Sequence, residues 1–198
     1  LFNGDKLLQK LDLRNFDTSL VTDMTRLFSS CESLTSLDLK TFNTDSLTAM
    51  YGMFANCKSL ISIDITHFNT KQVNSIGSLF ENCLSLRSID VSKIDTREVT
   101  SISYMFNNCA SLTSINIRNF NLTKVREITR LFNGCSKLNS VDLSGLNTES
   151  LVHMTFLFND CHSLESINFK GFKTSKVTSL YKVFSNCYSL KSLDLSMF

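Results

Sequence analysis

Seven cysteines, three histidines and a regular run of aspartates are the residues of this 198-residue chain whose types could do chemistry. Their spacing decides which chemistry is open to them. Cys31, Cys57, Cys83, Cys109, Cys135, Cys161 and Cys187 stand 26 residues apart without a slip. A zinc site needs four ligands converging on a tetrahedron, usually drawn from close Cys-x-x-Cys pairs. One cysteine per 26 residues makes a ladder instead. Adjacent rungs would carry parallel Cβ vectors, a poor geometry for a disulfide. The expected role is that of a small buried apolar residue. His67, His153 and His162 fall at three different places in the 26-residue period, so no Ser–His–Asp or Cys–His arrangement can be assembled from them. Cys161 precedes His162 but lacks the electropositive setting that makes a thiolate. All three histidines are expected at the surface. No catalytic residue, metal ligand or cofactor is predicted, and the chain is not expected to be an enzyme.

The acidic column offers more. Asp12, Asp38, Asp64, Asp90, Asn116, Asp142, Asn168 and Asp194 keep the same 26-residue step. If successive periods stack as strands about 4.8 Å apart, neighbouring carboxylates repel by about 1 kcal/mol in water. A cation such as Ca²⁺ could relieve that repulsion, since it prefers oxygen ligands. The favoured reading is a hydrogen-bonded polar ladder, partly neutralised by Arg14, Lys40, Arg118 and Lys170 two positions on, because a flat ladder offers calcium too few oxygens. Beside it runs a serine column, Ser36, Ser62, Ser88, Ser114, Ser140, Ser166 and Ser192. The column two residues past the aspartates varies, from Arg14 and Lys40 through Thr66 and Ser92 to Arg118 and Lys170. The candidate partner-binding face is Asp12, Arg14, Ser36, Asp38, Lys40, Ser62, Asp64, Ser88, Asp90, Ser114, Asn116, Arg118, Ser140, Asp142 and Lys170.

The elements that must position these columns show the same clock. Leucine recurs from Leu8 to Leu190 and phenylalanine from Phe2 to Phe184. A second apolar column runs through Phe16, Phe42, Phe68, Ile94, Phe120, Leu146, Phe172 and Phe198. Within residues 17–42, Asp17, Thr18 and Ser19 are residue types that favour helix starts. Val21, Met24, Leu27 and Phe28 follow at helical spacing and predict a helix of roughly ten residues, too short to be stable alone. Leu37 and Leu39, either side of Asp38, have the period of a short strand. Neither apolar stripe can be buried within one unit, so successive units must stack into a shared core. Strands about 4.8 Å apart against helices about 8–10 Å apart should bend the stack, with the strands on the inner face. One array is expected over residues 1–198, a partial unit at 1–16 and then seven units over 17–198. Neither end carries a polar capping unit, which predicts a fragment of a longer protein.

Composition narrows the partners. Twenty basic residues against 18 acidic ones, a net charge of +2, are too balanced to read a nucleic-acid surface from charge. No run of about 18 apolar residues occurs, so no membrane insertion is expected in this segment, and no signal segment opens it. Tyr51, Tyr104, Phe156 and Tyr181 fall outside the core columns, on the presumed helical side. One glycosylation sequon, Asn121-Leu122-Thr123, matters only in a eukaryotic secretory setting.

The run MFANCKSLISIDITHF from Met53 to Phe68 recurs as MFNNCASLTSINIRNF from Met105 to Phe120. Together with the connecting stretch FNTDSLTAM, it resembles the BspA-like leucine-rich repeats of bacterial surface proteins, and most closely the subclass common in mycoplasma surface lipoproteins. The resemblance covers the whole chain and has no catalytic residues to carry over. It implies an α/β repeat solenoid, a curved leucine-rich-repeat array with short parallel strands on the concave face and short helices on the convex face. It also implies a cell-surface or extracellular place and a role in adhesion or host interaction. The resulting expectation is a non-catalytic binding module that presents its concave face to a macromolecule, a protein or a glycan and not a nucleic acid. A structural spacer or stalk is the alternative. A cytosolic location stays open, because unpaired cysteines also suit a reducing compartment.

Overall fold

The computed structural model describes residues 1–198. Each 26-residue period is one coil of a solenoid, and equivalent side chains of successive coils meet in its interior. The rings of Phe2, Phe28, Phe54, Phe80, Phe106, Phe132, Phe158 and Phe184 form one stack, with centroids 5.5–6.2 Å apart and interplanar angles of 2–10°. Phe54 therefore touches both Phe28 and Phe80. Around this spine the cysteine, leucine and second apolar columns close a single continuous core from Leu13 to Val183.

The predicted helices are absent. No helix forms anywhere in the chain; the apolar run after Asp17 is a ribbon of tight turns. Its backbone bonds show why this alternative is self-sufficient. The N–H groups of Met24, Arg26, Phe28 and Ser30 donate to the carbonyls of Ala49, Tyr51, Met53 and Ala55 in the next coil, at 2.7–2.9 Å. Those of Leu27, Ser29 and Cys31 donate three residues back, to Met24, Arg26 and Phe28. Alternate amides thus face the neighbouring coil and the residue behind, so the buried backbone is satisfied without a helix. The arrangement needs left-handed residues at the third position of two turns per coil. Arg26 (φ 55°) and Ser30 (φ 61°) supply them in one unit, Gly52 and Asn56 in the next.

The strand prediction holds locally. β1 (Ser140–Asp142) and β2 (Ser166–Asn168) pair in parallel, with Ser140 opposite Ser166 and Asp142 opposite Asn168. Elsewhere the same segment is joined coil to coil by single bonds, such as Ile61 N–H to Thr35 carbonyl and Arg87 N–H to Ile61 carbonyl. Leu37 and Leu39 are buried and Asp38 exposed, the alternation a strand requires. With no helix present, the spacing mismatch offered as the cause of curvature does not exist.

Asp17, Thr18 and Ser19 do not start a helix either. Asp17 Oδ1 accepts the Ser19 N–H at 2.9 Å, a local turn. Thr18 is buried and donates its hydroxyl to the Asn43 carbonyl at 2.8 Å. Its equivalents clamp the next coil more fully: Thr96 Oγ1 donates to the Asn121 carbonyl at 3.0 Å and accepts the Asn121 N–H at 2.7 Å. Thr70 and Thr148 repeat the clamp on Asp95 and Lys173. Thr96→Val keeps the shape but strands a donor and an acceptor of Asn121, so urea unfolding should show a loss of about 1–3 kcal/mol. An unchanged midpoint would mean that water replaces the hydroxyl.

Candidate binding face

The exposed side of the strand segments carries the polar columns. Every residue of the predicted face is exposed except Asp142, which is half-buried. Its acidic column has one local job. Asp38 Oδ1 accepts the Lys40 N–H at 3.1 Å, Asp64 that of Thr66 at 2.9 Å, Asp90 that of Ser92 at 2.8 Å and Asp142 that of Ser144 at 2.9 Å. Asn116 and Asn168 do the same for Arg118 and Lys170, each at 3.1 Å. The column is a row of turns closed by a side-chain oxygen two residues back. Aspartate and asparagine both own that oxygen, which explains why they alternate here.

These bonds set the electrostatics. The Arg14 guanidinium grips Asp12 with two nitrogens, at 3.0 Å from Nε and 2.6 Å from Nη2, and holds its carboxyl at about 2. The Thr66 hydroxyl and N–H lower Asp64, and those of Ser92 lower Asp90. Asp142 is lowered first by Ser144 and further by Arg118, which reaches across from the preceding coil. Lys40 and Lys170 bond to the acidic column through their backbone N–H groups, and the Lys40 charge also helps to lower Asp64; the direct ion pairs are those of Arg14 with Asp12 and Arg118 with Asp142. No three acidic, cysteine or histidine side chains gather into a cation-holding cluster.

The serine column is exposed from Ser36 to Ser192. Sequence reasoning overlooked the column immediately before it, which contains Thr35, Ile61 and Arg87. These are exposed too, and Ile61 retains 45% of its surface. Their place before a serine, outside the leucine columns, was the available signal. Charges of both signs intersperse along the face, with Asp12 and Arg14 in one coil, Asp38 and Lys40 in the next, Asp64 in the third and Arg87 with Asp90 in the fourth. A cavity of about 400 Å³ lies between Asn168, Lys170 and Asp194 on the same face.

The cysteine ladder faces inward. All seven thiols are free; six are buried and Cys187 is half-buried. Each donates to the carbonyl of the phenylalanine 29 residues earlier: Cys57 Sγ lies 3.1 Å from the Phe28 oxygen and Cys109 Sγ 3.2 Å from that of Phe80. Burial pushes Cys57 and Cys135 up to about 12 and Cys187 to about 11, the opposite of a nucleophile's setting. His67, His153 and His162 are exposed, and His67 Nε2 lies 3.0 Å from the Leu39 carbonyl oxygen. No helix is long and apolar enough to cross a membrane.

A stacked core of leucine and phenylalanine columns behind a ladder of short parallel strand segments defines a leucine-rich-repeat protein. The architecture superposes on a leucine-rich repeat protein from Eubacterium ventriosum with a TM-score of 0.54 at 18% identity, over 88% of this chain and 42% of that one. The chain belongs to the family described as "Mycoplasma protein of unknown function, DUF285", whose model matches residues 1–115 and 101–198. It is also similar to a leucine-rich repeat protein of T. pallidum (TM-score 0.38, 18% identity, 86% of this chain and 72% of that one). A third similar structure is a leucine-rich repeat protein of Bacteroides ovatus (TM-score 0.39, 19% identity, 80% and 45%). The chain thus spans less than half the length of the Eubacterium and Bacteroides proteins. No curated protein sequence matches it.

Proposed function

We propose that this array is a binding module of a bacterial surface protein, docking a macromolecular partner along the strand face. Residues 1–198 act in this reading as one domain. The observation that carries it is the fixed polar geometry of the face. Each Asp or Asn is locked by its own turn, so one oxygen of the exposed Asp38, Asp64 and Asp90 is committed and the other has no partner within the chain. Ser36, Ser62, Ser88 and Ser114 stand exposed beside them. Such pre-ordered groups lose little freedom when a partner binds. Specificity resides in Lys40, Arg118 and their variable neighbours, while adhesion at the cell surface is the setting that suits the family resemblance.

Charge reversal tests this. Labelled protein is applied to intact mammalian cells, and Lys40→Glu, Asp64→Lys, Asp90→Lys and Arg118→Glu are compared with the parent. Reversal at the centre of a recognised face should weaken retention by about tenfold or more, because a buried interfacial charge left unpaired costs a few kcal/mol. Indifference to all four substitutions would support the spacer reading, for which the unbroken coil-to-coil register is the relevant feature.

A further inference from the structure

The ribbon of turns presents a second surface, apart from the strand segments. In four successive coils one position of the ribbon carries Tyr104, Arg130, Phe156 and Lys182, a ring and a cation by turns. The repeat does not require this, since Gly52 and Ser78 hold the same position in earlier coils. The side chains interleave. The Arg130 guanidinium carbon lies 5.6 Å from the centre of the Tyr104 ring and 4.6 Å from that of Phe156. The Lys182 amine lies 5.9 Å from the Phe156 ring and 5.5 Å from that of Tyr181, and Tyr181 packs edge-on against Phe156 at 5.2 Å.

A cation within about 6 Å of a ring centre is attracted by the negative face of the ring. Arg130 is the member with a ring on either side, and it is half-buried between them, whereas Lys182 is exposed. Neither takes part in any of the chain's ion pairs. Arg14, Arg97 and Arg118 differ, since each commits its guanidinium to a carboxylate of the chain. An arginine held by stacking, with its donors free, is set to grip an outside carboxylate through two N–H groups. Its side chain is ordered before anything binds, so little freedom is lost on association. Tyrosine and arginine are also the residue types that anchor protein interfaces.

We infer that this strip docks an acidic segment of a partner protein, with one carboxylate on Arg130 and a second on Lys182 two coils away. Two coils advance about 10 Å at the strand spacing. An extended chain in the polyproline conformation returns to the same side every three residues, after about 9 Å. Acidic residues three apart therefore match the two cations. A flat anionic membrane suits the strip less well, because Glu127 and Asp160 stand on the same ribbon and would meet its headgroups, whereas a single chain passes between them. The strip is separate from the strand face and does not depend on the docking proposed there.

The test is an NMR titration of the ¹⁵N-labelled chain with a peptide that repeats glutamate-serine-serine, and with the glutamine-serine-serine peptide as control. The glutamate peptide alone should give saturable shifts at the Arg130 Nε–H and at the backbone amides of Tyr104, Phe156 and Lys182. Arg130→Gln should weaken that binding by about tenfold or more. Arg130→Lys, which keeps the charge, should weaken it as well, because the two-pronged grip is lost. Phe156→Leu leaves both cations in place and should still weaken it by about threefold, since the guanidinium is no longer clamped. Lys40→Glu, on the strand face, should bind like the parent. Phosphatidylserine vesicles should leave these residues unshifted. The inference is overturned if the glutamate peptide does not shift Arg130, if Arg130→Gln or Phe156→Leu binds like the parent, if Lys40→Glu abolishes binding, or if the vesicles produce the shifts.

Discussion

Phe106→Ala should lower the stability of the array by about 3–5 kcal/mol and divide its unfolding into two transitions. Phe106 has no exposed surface and stacks 5.8 Å from both Phe80 and Phe132. Its removal leaves a cavity whose walls are fixed by the coil-to-coil backbone bonds, so collapse around it is restricted. A solenoid is stabilised by each coil and its two neighbours, with little direct contact beyond. A gap in the middle therefore weakens the coupling between the two halves as well as the coil itself. Phe184→Ala is the internal comparison. Phe184 is half-buried and keeps a longer spacing of 6.2 Å from Phe158, so its loss should cost less than half as much. Urea unfolding followed by far-ultraviolet circular dichroism reads both variants. Equal losses at the two positions would show that the stack does not carry the stability.

The second large effect is on alkaline stability. A thiol exposed by unfolding returns to an ordinary value near 9, whereas burial holds Cys57 and Cys135 at about 12 and raises Cys83, Cys109 and Cys161 in the same direction. Because the folded values lie above the unfolded ones, the stability they contribute is fully present below about pH 9. It is lost as pH rises from there toward 12, where the unfolded chain has released protons that the folded one retains. Each buried thiol changes the stability by up to about 1.4 kcal/mol per pH unit in that window. Several such thiols act together, so the thermal midpoint should fall steeply between about pH 8.5 and 10.5. The double variant Cys83→Ala and Cys109→Ala should start from a lower midpoint and show a shallower fall. A parent midpoint that stays level across the window would mean that the thiols are not sealed from water.

The helix error has a definite cause. Met50, Met53, Phe54 and Cys57 are all fully buried, at i, i+3, i+4 and i+7. That is the pattern of an amphipathic helix. A ribbon of successive turns with a four-residue repeat buries the same set, so apolar spacing cannot tell the two apart. The discriminating signal lay one residue before each cysteine. Asn56, Asn82, Asn108, Gly134, Asp160 and Asn186 occupy that left-handed position, with Ser30 the exception, and Gly4 holds it before Asp5 in the first, partial unit. Glycine, asparagine and aspartate are the residues that tolerate it, and a helix interior has no use for them there. The side chains confirm the fit, since the Asn108 amide donates to Asn82 Oδ1 and that of Asn82 to Asn56 Oδ1, each at 2.8 Å.

The period of 26, the inward direction of the phenylalanine and cysteine columns and the outward direction of Asp64, Asp90 and Ser88 were determined by the sequence alone. Burial sorts apolar from polar residues whatever path the backbone takes, and a strict repeat forces equivalent residues into register. How the backbone meets its own hydrogen-bonding needs was decided only by the tertiary structure. The amides of Phe28 and Thr96's partner Asn121 find acceptors in an adjacent coil, 25 residues away in sequence, and no local pattern records such a bond.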